Sequence, residues 1–205
     1  MPTLSTIREI RANIPGYVPL SVALGDAENN PDKYAKRGID AANAGADIVK
    51  VGLYGFQKPE ETIPFLAGIR ESLDSSGFKN VLLVGAIYAD RVDPRFIFDM
   101  PAIAARCGLY AILIDTYGKS VSVRDLLSIE EISLYTDLCR DAGIFSVLAG
   151  GLCKSDAGWI RDTGLDIAGF RSAVVKGSRS STGIDMERIS GLYEAFRLND
   201  KAVSK

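Results

Sequence analysis

Six times along this chain, a glycine is followed within about five residues by a short run of Val, Ile, Leu and Ala. The segments are GYVPLSVALGD from Gly16, GADIVKVG from Gly45, GFKNVLLVGAIYAD from Gly77, GLYAILID from Gly108, GIFSVLAGG from Gly143 and GLDIAGFR from Gly164. Successive glycines are 29, 32, 31, 35 and 21 residues apart, close to the length of one strand–helix unit. Runs that stay apolar on consecutive positions predict strands buried on both faces, the pattern of a parallel sheet.

Between the runs lie helical stretches with recognisable starts. Pro59 opens EETIPFLAGIRESLDSS, and Asp93-Pro94 supplies an N-cap and first helical residue before RFIFDMPAIAARC. Ser122 precedes VRDLLSIEEISLYTDLCRDA, Ser155 precedes DAGWIRDT, and Asp185 precedes MERISGLYEAFRL. A leading helix is expected near residues 4–13. The recurring glycines then fall where a left-handed C-terminal cap is wanted. Pro64 and Pro101 lie inside two of these helices and predict a later start or a kink.

Six β/α units imply an α/β fold with a parallel sheet, either an aldolase-like TIM (β/α)8 barrel or a doubly wound sheet. The doubly wound nucleotide fold carries a glycine fingerprint in its first strand–helix turn. Here that turn, ALGDAENNPDK, has one glycine, and neither GxGxxG nor GxxxxGK[ST] occurs in the chain. The barrel is favoured. It wants eight units and typically ~250 residues, whereas six units are visible in 205 residues. No linker or low-complexity tract divides the chain, so residues 1–205 are expected to form a single, incomplete barrel domain.

The chain has no histidine. That removes Ser-His-Asp triads, Cys-His dyads and a histidine general base, and leaves acid–base chemistry to Lys, Asp, Glu, Tyr or Cys. Twenty-four basic against 26 acidic residues give a net charge of -2, which argues against a nucleic-acid partner. No apolar run approaches the ~18 residues of a membrane span. The start MPTLSTIREIRANIP lacks a signal-peptide core. Cys107, Cys139 and Cys153 have no metal-like spacing, and Cys107 and Cys153 read as packing residues. A cytoplasmic protein with no metal, cofactor, nucleic-acid or membrane partner is expected.

In a barrel, polar residues at the C-terminal strand ends are the catalytic candidates. They are Asp26, Lys50, Tyr88 with Asp90, Asp115 followed by Lys119, Gly150-Gly151, and Arg171 with Ser172. Lys50 stands out because it lies inside an apolar strand run. Burial penalises an ammonium and favours the neutral amine, the form that accepts a proton or attacks a carbonyl. The other reading is a structural lysine paired with Asp26 or Asp115. Asp115 is a counter-charge or proton shuttle, or equally a turn-forming aspartate; Lys119 alone reads as a loop lysine. LAGG and GFRS place small residues and an arginine where barrels commonly hold phosphate, so Gly150, Gly151, Arg171 and Ser172 form the expected phosphate site. Lys176 and Arg179 add positive charge nearby. Tyr88, Asp90 and Asp93 either line the mouth or serve as a cap and an ion pair for Arg91.

The strings ADIVKVGLYG (46–55), YADRVDP (88–94), LIDTYGKS (113–120), LAGG (148–151) and GFRSAVVKGSR (169–179), ending in GID (183–185), resemble the (5-formylfuran-3-yl)methyl phosphate synthases of methanofuran biosynthesis. The resemblance implies an aldolase-like lyase that condenses two glyceraldehyde 3-phosphate molecules, with loss of phosphate and water, by a Schiff-base mechanism. It further implies that Lys50 is the proton acceptor, with Asp115 and Lys119 as accessory catalytic residues. The family's Schiff-base lysine lies on its second strand, in a segment resembling DVKNPKEG, ahead of the first residue here. The six units would then correspond to family strands three to eight.

Two other readings remain at this point: another phosphosugar-binding, aldolase-like barrel, and a non-catalytic relative of the family. A sheet lacking two strands leaves exposed edges, which predicts a homo-oligomer.

Overall fold

The computed structural model describes residues 1–28, 30–118, 120–177 and 183–197; Lys119 and Arg179 lie outside these. Helix α1 (Leu4–Asn13) leads into six strands: β1 (Ser21–Asp26), β2 (Ile48–Gly52), β3 (Leu82–Tyr88), β4 (Ala111–Asp115), β5 (Phe145–Leu148) and β6 (Ile167–Ala168). The crossovers between them carry α2 (Pro31–Asn43), α3 (Pro59–Ser75), α4 (Pro94–Arg106), α5 (Ile129–Asp141) and α6 (Ala157–Asp162). Helix α7 (Met186–Arg197) follows β6.

Every neighbouring strand pair is parallel, and the order across the sheet is the order along the chain. That is barrel winding; a doubly wound sheet reverses direction partway. Among the described residues β1 and β6 do not pair with each other, so the wall is open between them.

The two sheet faces differ. Val22, Leu24, Val49, Val51, Leu83, Ile87, Ile112, Ile114 and Leu148 are buried beneath the helices. The alternate residues, among them Ile48, Lys50, Leu113, Asp115 and Val147, line the concave side. The expectation of strands buried on both faces therefore holds at the centre of the sheet, where Val84, Ala86 and Ala111 are buried on the concave side as well, and fails toward its far edge. On the concave side Phe145 is 42% and Ile167 41% exposed.

Five of the six recurring glycines, at 45, 77, 108, 143 and 164, have positive φ just after α2 to α6. Gly16, between α1 and β1, does not.

Three helix expectations are corrected. Helices α3 and α4 do not start late: they begin at Pro59 and Pro94 and continue through Pro64 and Pro101, because burial of Phe65, Leu66, Ile69, Met100 and Ala104 outweighs the single missing hydrogen bond in each. Ser122 caps only a short 3₁₀ turn, Val123–Asp125. Helix α5 starts six residues later, where the Ser128 hydroxyl accepts from the Glu131 N–H at 3.2 Å and Glu131 accepts from the Ser128 N–H at 2.7 Å. Ser155 lies within a 3₁₀ turn, and α6 begins at Ala157. No described helix is long and apolar enough to cross a membrane.

Candidate active site at the strand ends

A cavity of about 490 Å³ opens on the concave side of the sheet. Lys50, Asp115, Gly150, Gly151, Arg171 and Ser172 all line it. Six of the seven expected site residues, drawn from four β/α units, are thus brought together; Lys119 lies outside the described residues.

Lys50 is flanked along β2 by the fully buried Val49 and Val51, which point into the helix-side core. Strand alternation then sends the Lys50 side chain to the cavity. Its register partners are Ala23 on β1 and Val84 on β3. Both are apolar, and among the described residues Lys50 makes no ion pair. The paired-lysine alternative is therefore not what the structure shows.

Asp115 ends β4 opposite Tyr88 of β3 and is half-buried. One carboxylate oxygen accepts the Thr116 N–H at 2.7 Å, so it shapes the turn while remaining on the cavity wall.

The β3–α4 segment divides its acidic residues between two tasks. Asp93 caps α4 through the Arg95 N–H at 2.9 Å. Asp90 accepts the N–H groups of Tyr117 and Gly118 at 2.7 and 2.8 Å, tying down the loop that leaves β4. Burial pushes the Asp90 pKa up, but these N–H donors and Arg91 outweigh it and hold the carboxyl below its ordinary value.

Tyr88 donates its hydroxyl proton to the Asp26 carboxylate. Burial first, then Asp26, raise the phenol pKa well above its usual range. Sequence reasoning singled out both residues as strand ends but missed their pairing. They are 62 positions apart, and only the lateral spacing of the strands brings them together. Tyr54 and Tyr117, also missed, stack against each other with ring centroids 4.7 Å apart, and both pack on Tyr88.

At the far end, Gly150 and Gly151 adopt positive φ of 97° and 76°. Among the described residues, the backbone N–H groups of Gly150, Gly151, Arg171 and Ser172 donate to no internal acceptor. The Arg171 side chain is exposed, and among the described residues it makes no ion pair. Free N–H groups and an unpaired guanidinium lining one cavity are the groups with which proteins hold anions. Lys176 contributes less than its charge suggests, since Asp185 lies 3.9 Å from it. Cys107 is buried as expected, but Cys153 is exposed and its thiol meets the Asp156 carboxylate at 3.2 Å, so it is not a packing residue.

Known proteins agree with this architecture. The family model described as 4-HFC-P synthase matches residues 1–193. The (5-formylfuran-3-yl)methyl phosphate synthase of Methanosarcina mazei is 32% identical over 188 residues, covering 91% of this chain and 80% of the relative. The protein of the same name from Archaeoglobus fulgidus is 34% identical over 194 residues, covering 92% and 81%. Among solved structures, the deoxyribose phosphate aldolase of Aeropyrum pernix superposes with a TM-score of 0.64 at 19% identity, covering 83% of this chain and 70% of that one. That likeness supports the aldolase-like barrel fold alone. On the extent of the family match and these identities, the chain belongs to the 4-HFC-P synthase family.

Proposed function

We propose that this cavity performs the synthase chemistry for which the relatives are named: condensation of two glyceraldehyde 3-phosphates to (5-formylfuran-3-yl)methyl phosphate in methanofuran biosynthesis. Loss of one phosphate and two waters balances the atoms. The observation that carries the reading is the shared lining of one cavity by Lys50, Asp115 and the glycine–arginine cradle. Its volume, about 490 Å³, is within the range of small-molecule sites.

The division of labour follows from charge. The phosphate sits on the N–H groups of Gly150, Gly151, Arg171 and Ser172, with the Arg171 guanidinium beside it. The carbon chain then runs along the apolar floor toward Lys50. Lys50, in an apolar layer without a carboxylate partner among the described residues, removes the proton next to the carbonyl. The Asp115 carboxylate offsets the positive charge that Lys50 acquires, and Lys119 follows it four residues later in the sequence. The imine belongs to the lysine that the family resemblance places ahead of β1. The reaction is thus of the lyase type, with a small phosphorylated substrate.

The test is incubation with glyceraldehyde 3-phosphate and mass spectrometry of the products. It is run on the 205-residue chain and on the same chain joined behind the first two strands of the Methanosarcina mazei relative. A formylfuran methyl phosphate with equimolar inorganic phosphate, from either protein, supports the reading. Tight triose phosphate binding without product from both overturns it in favour of a non-catalytic phosphosugar binder.

A further inference from the structure

The Asp26–Tyr88 hydrogen bond spans β2, the strand between their own. It can do so because position 52 is glycine. A β-carbon on Gly52 would stand 2.6 Å from the Tyr88 hydroxyl and closer still to the Asp26 carboxylate. Gly52 lies two residues beyond Lys50 and therefore on the same face of β2. The pair consequently occupies the layer just above Lys50, toward the mouth, with Tyr88 in register with Asp115.

The chemistry of the pair is one-sided. The single phenol proton is committed to Asp26, and Tyr88 stays protonated because burial and two nearby carboxylates oppose its ionisation. The second Asp26 oxygen has no hydrogen-bond partner among the described residues, and Asp26 is exposed. What remains on offer is a carboxylate oxygen and a phenol lone pair: two acceptors and no donor. Such a pair repels a phosphate and takes a donor.

We infer that Asp26 and Tyr88 recognise a hydroxyl of a phosphorylated hydroxyaldehyde whose phosphate sits in the cradle after β5 and β6. The inference rests on the reading of the cavity as a triose phosphate site. It assigns the pair a binding and orienting role: the hydroxyl is held at one end, the phosphate at the other, and the reacting carbons lie over Lys50. A site built to pair a ligand hydroxyl discriminates against the analogue that lacks it, because its own polar groups are then left unsatisfied.

The experiment compares glyceraldehyde 3-phosphate with 3-phosphopropionaldehyde, which keeps the aldehyde and phosphate and lacks the hydroxyl. Calorimetric affinities are measured for the wild-type protein and for Tyr88→Phe, Asp26→Asn and Gly52→Ala, with inorganic phosphate as a third ligand. The wild-type protein is expected to prefer the hydroxylated compound about tenfold. In any folded variant the preference should shrink toward unity while phosphate affinity is retained, and Gly52→Ala should do this with both polar groups still present. An undiminished preference in Tyr88→Phe and Asp26→Asn, or no preference in the wild-type protein while both aldehydes bind, overturns the assignment. Failure of the wild-type protein to bind phosphate or either aldehyde overturns the cavity reading itself, and this inference with it.

Discussion

Gly150 lies so close to Thr116 that a β-carbon on the glycine would stand 3.0 Å from the Thr116 backbone nitrogen and 3.1 Å from its side-chain oxygen. Position 150 also has φ of +97°. Gly150→Ala must therefore move the loop after β5 away from the loop after β4, at a cost of about 1–3 kcal/mol in stability. Phosphate affinity should fall with it, because the cradle N–H groups move. Urea unfolding and phosphate calorimetry check both; a destabilised variant with unchanged phosphate affinity would reduce Gly150 to a turn residue.

Arg171 is exposed, so its contribution to anion binding is screened by solvent. Arg171→Ala should weaken triose phosphate binding by about 1–2 kcal/mol, less than a buried charge pair would give. The loss should shrink as salt is raised. An affinity unaffected at low salt, with the fold intact, removes Arg171 from the site.

Lys50→Ala should lower turnover by roughly 10²–10⁴-fold, the range for loss of a general acid or base. Lys50→Arg should not restore it, since a guanidinium does not deprotonate in proteins. Borohydride reduction in the presence of glyceraldehyde 3-phosphate should leave no adduct on Lys50. A mass-spectrometric adduct mapped to Lys50 would make it the covalent nucleophile and reverse the roles given above.

Asp156 is buried at 7% exposure. It accepts from the Cys153 N–H at 2.8 Å, the Trp159 indole at 2.9 Å and the Arg124 guanidinium at 3.1 Å. Burial pushes its pKa up, but these donors and the Arg124 charge bring it below the ordinary 3.8. With the folded value depressed, the stabilisation is complete above the unfolded pKa and is lost as pH falls through the folded one. Asp156→Asn should thus cost about 1–3 kcal/mol at neutral pH, and the gap to the wild-type protein should narrow below pH ~4. Denaturant titrations at neutral and acid pH decide it; a gap that is independent of pH contradicts the assignment.

The outer edge of β1 is unpaired among the described residues, and Phe145 and Ile167 are exposed on the concave face. Open edges and apolar surface favour association. Sedimentation should therefore show concentration-dependent oligomers of the 205-residue chain, shifted toward monomer by Ile167→Lys. A monodisperse monomer at high concentration would contradict this.

Much of the wall of this barrel is legible in the sequence, because each unit announces itself locally. A left-handed glycine ends a helix and an apolar run follows within a few residues, as at Gly45, Gly77, Gly108, Gly143 and Gly164. The cavity residues are legible for a related reason: strand ends converge whatever the side chains are. What stays hidden depends on competition or on lateral distance. Ser122 and Ser128 both head a capping sequence, and only packing decides which of them starts α5. The meeting of Asp26 with Tyr88 needs the spacing of three strands and the missing side chain at Gly52, none of which is a pattern along the chain.

Strand β6 is two residues long and joins β5 through only two register pairs, Val147 with Ile167 and Leu148 with Ala168. The proposed cradle draws its N–H groups from just past both strands, at Gly150 and Gly151 on one side and Arg171 and Ser172 on the other. An anion bound there acts as a staple across the weakest seam of the sheet. Opening of β6 to solvent then requires escape of the ligand, so substrate concentration sets how often the last unit of the wall comes open.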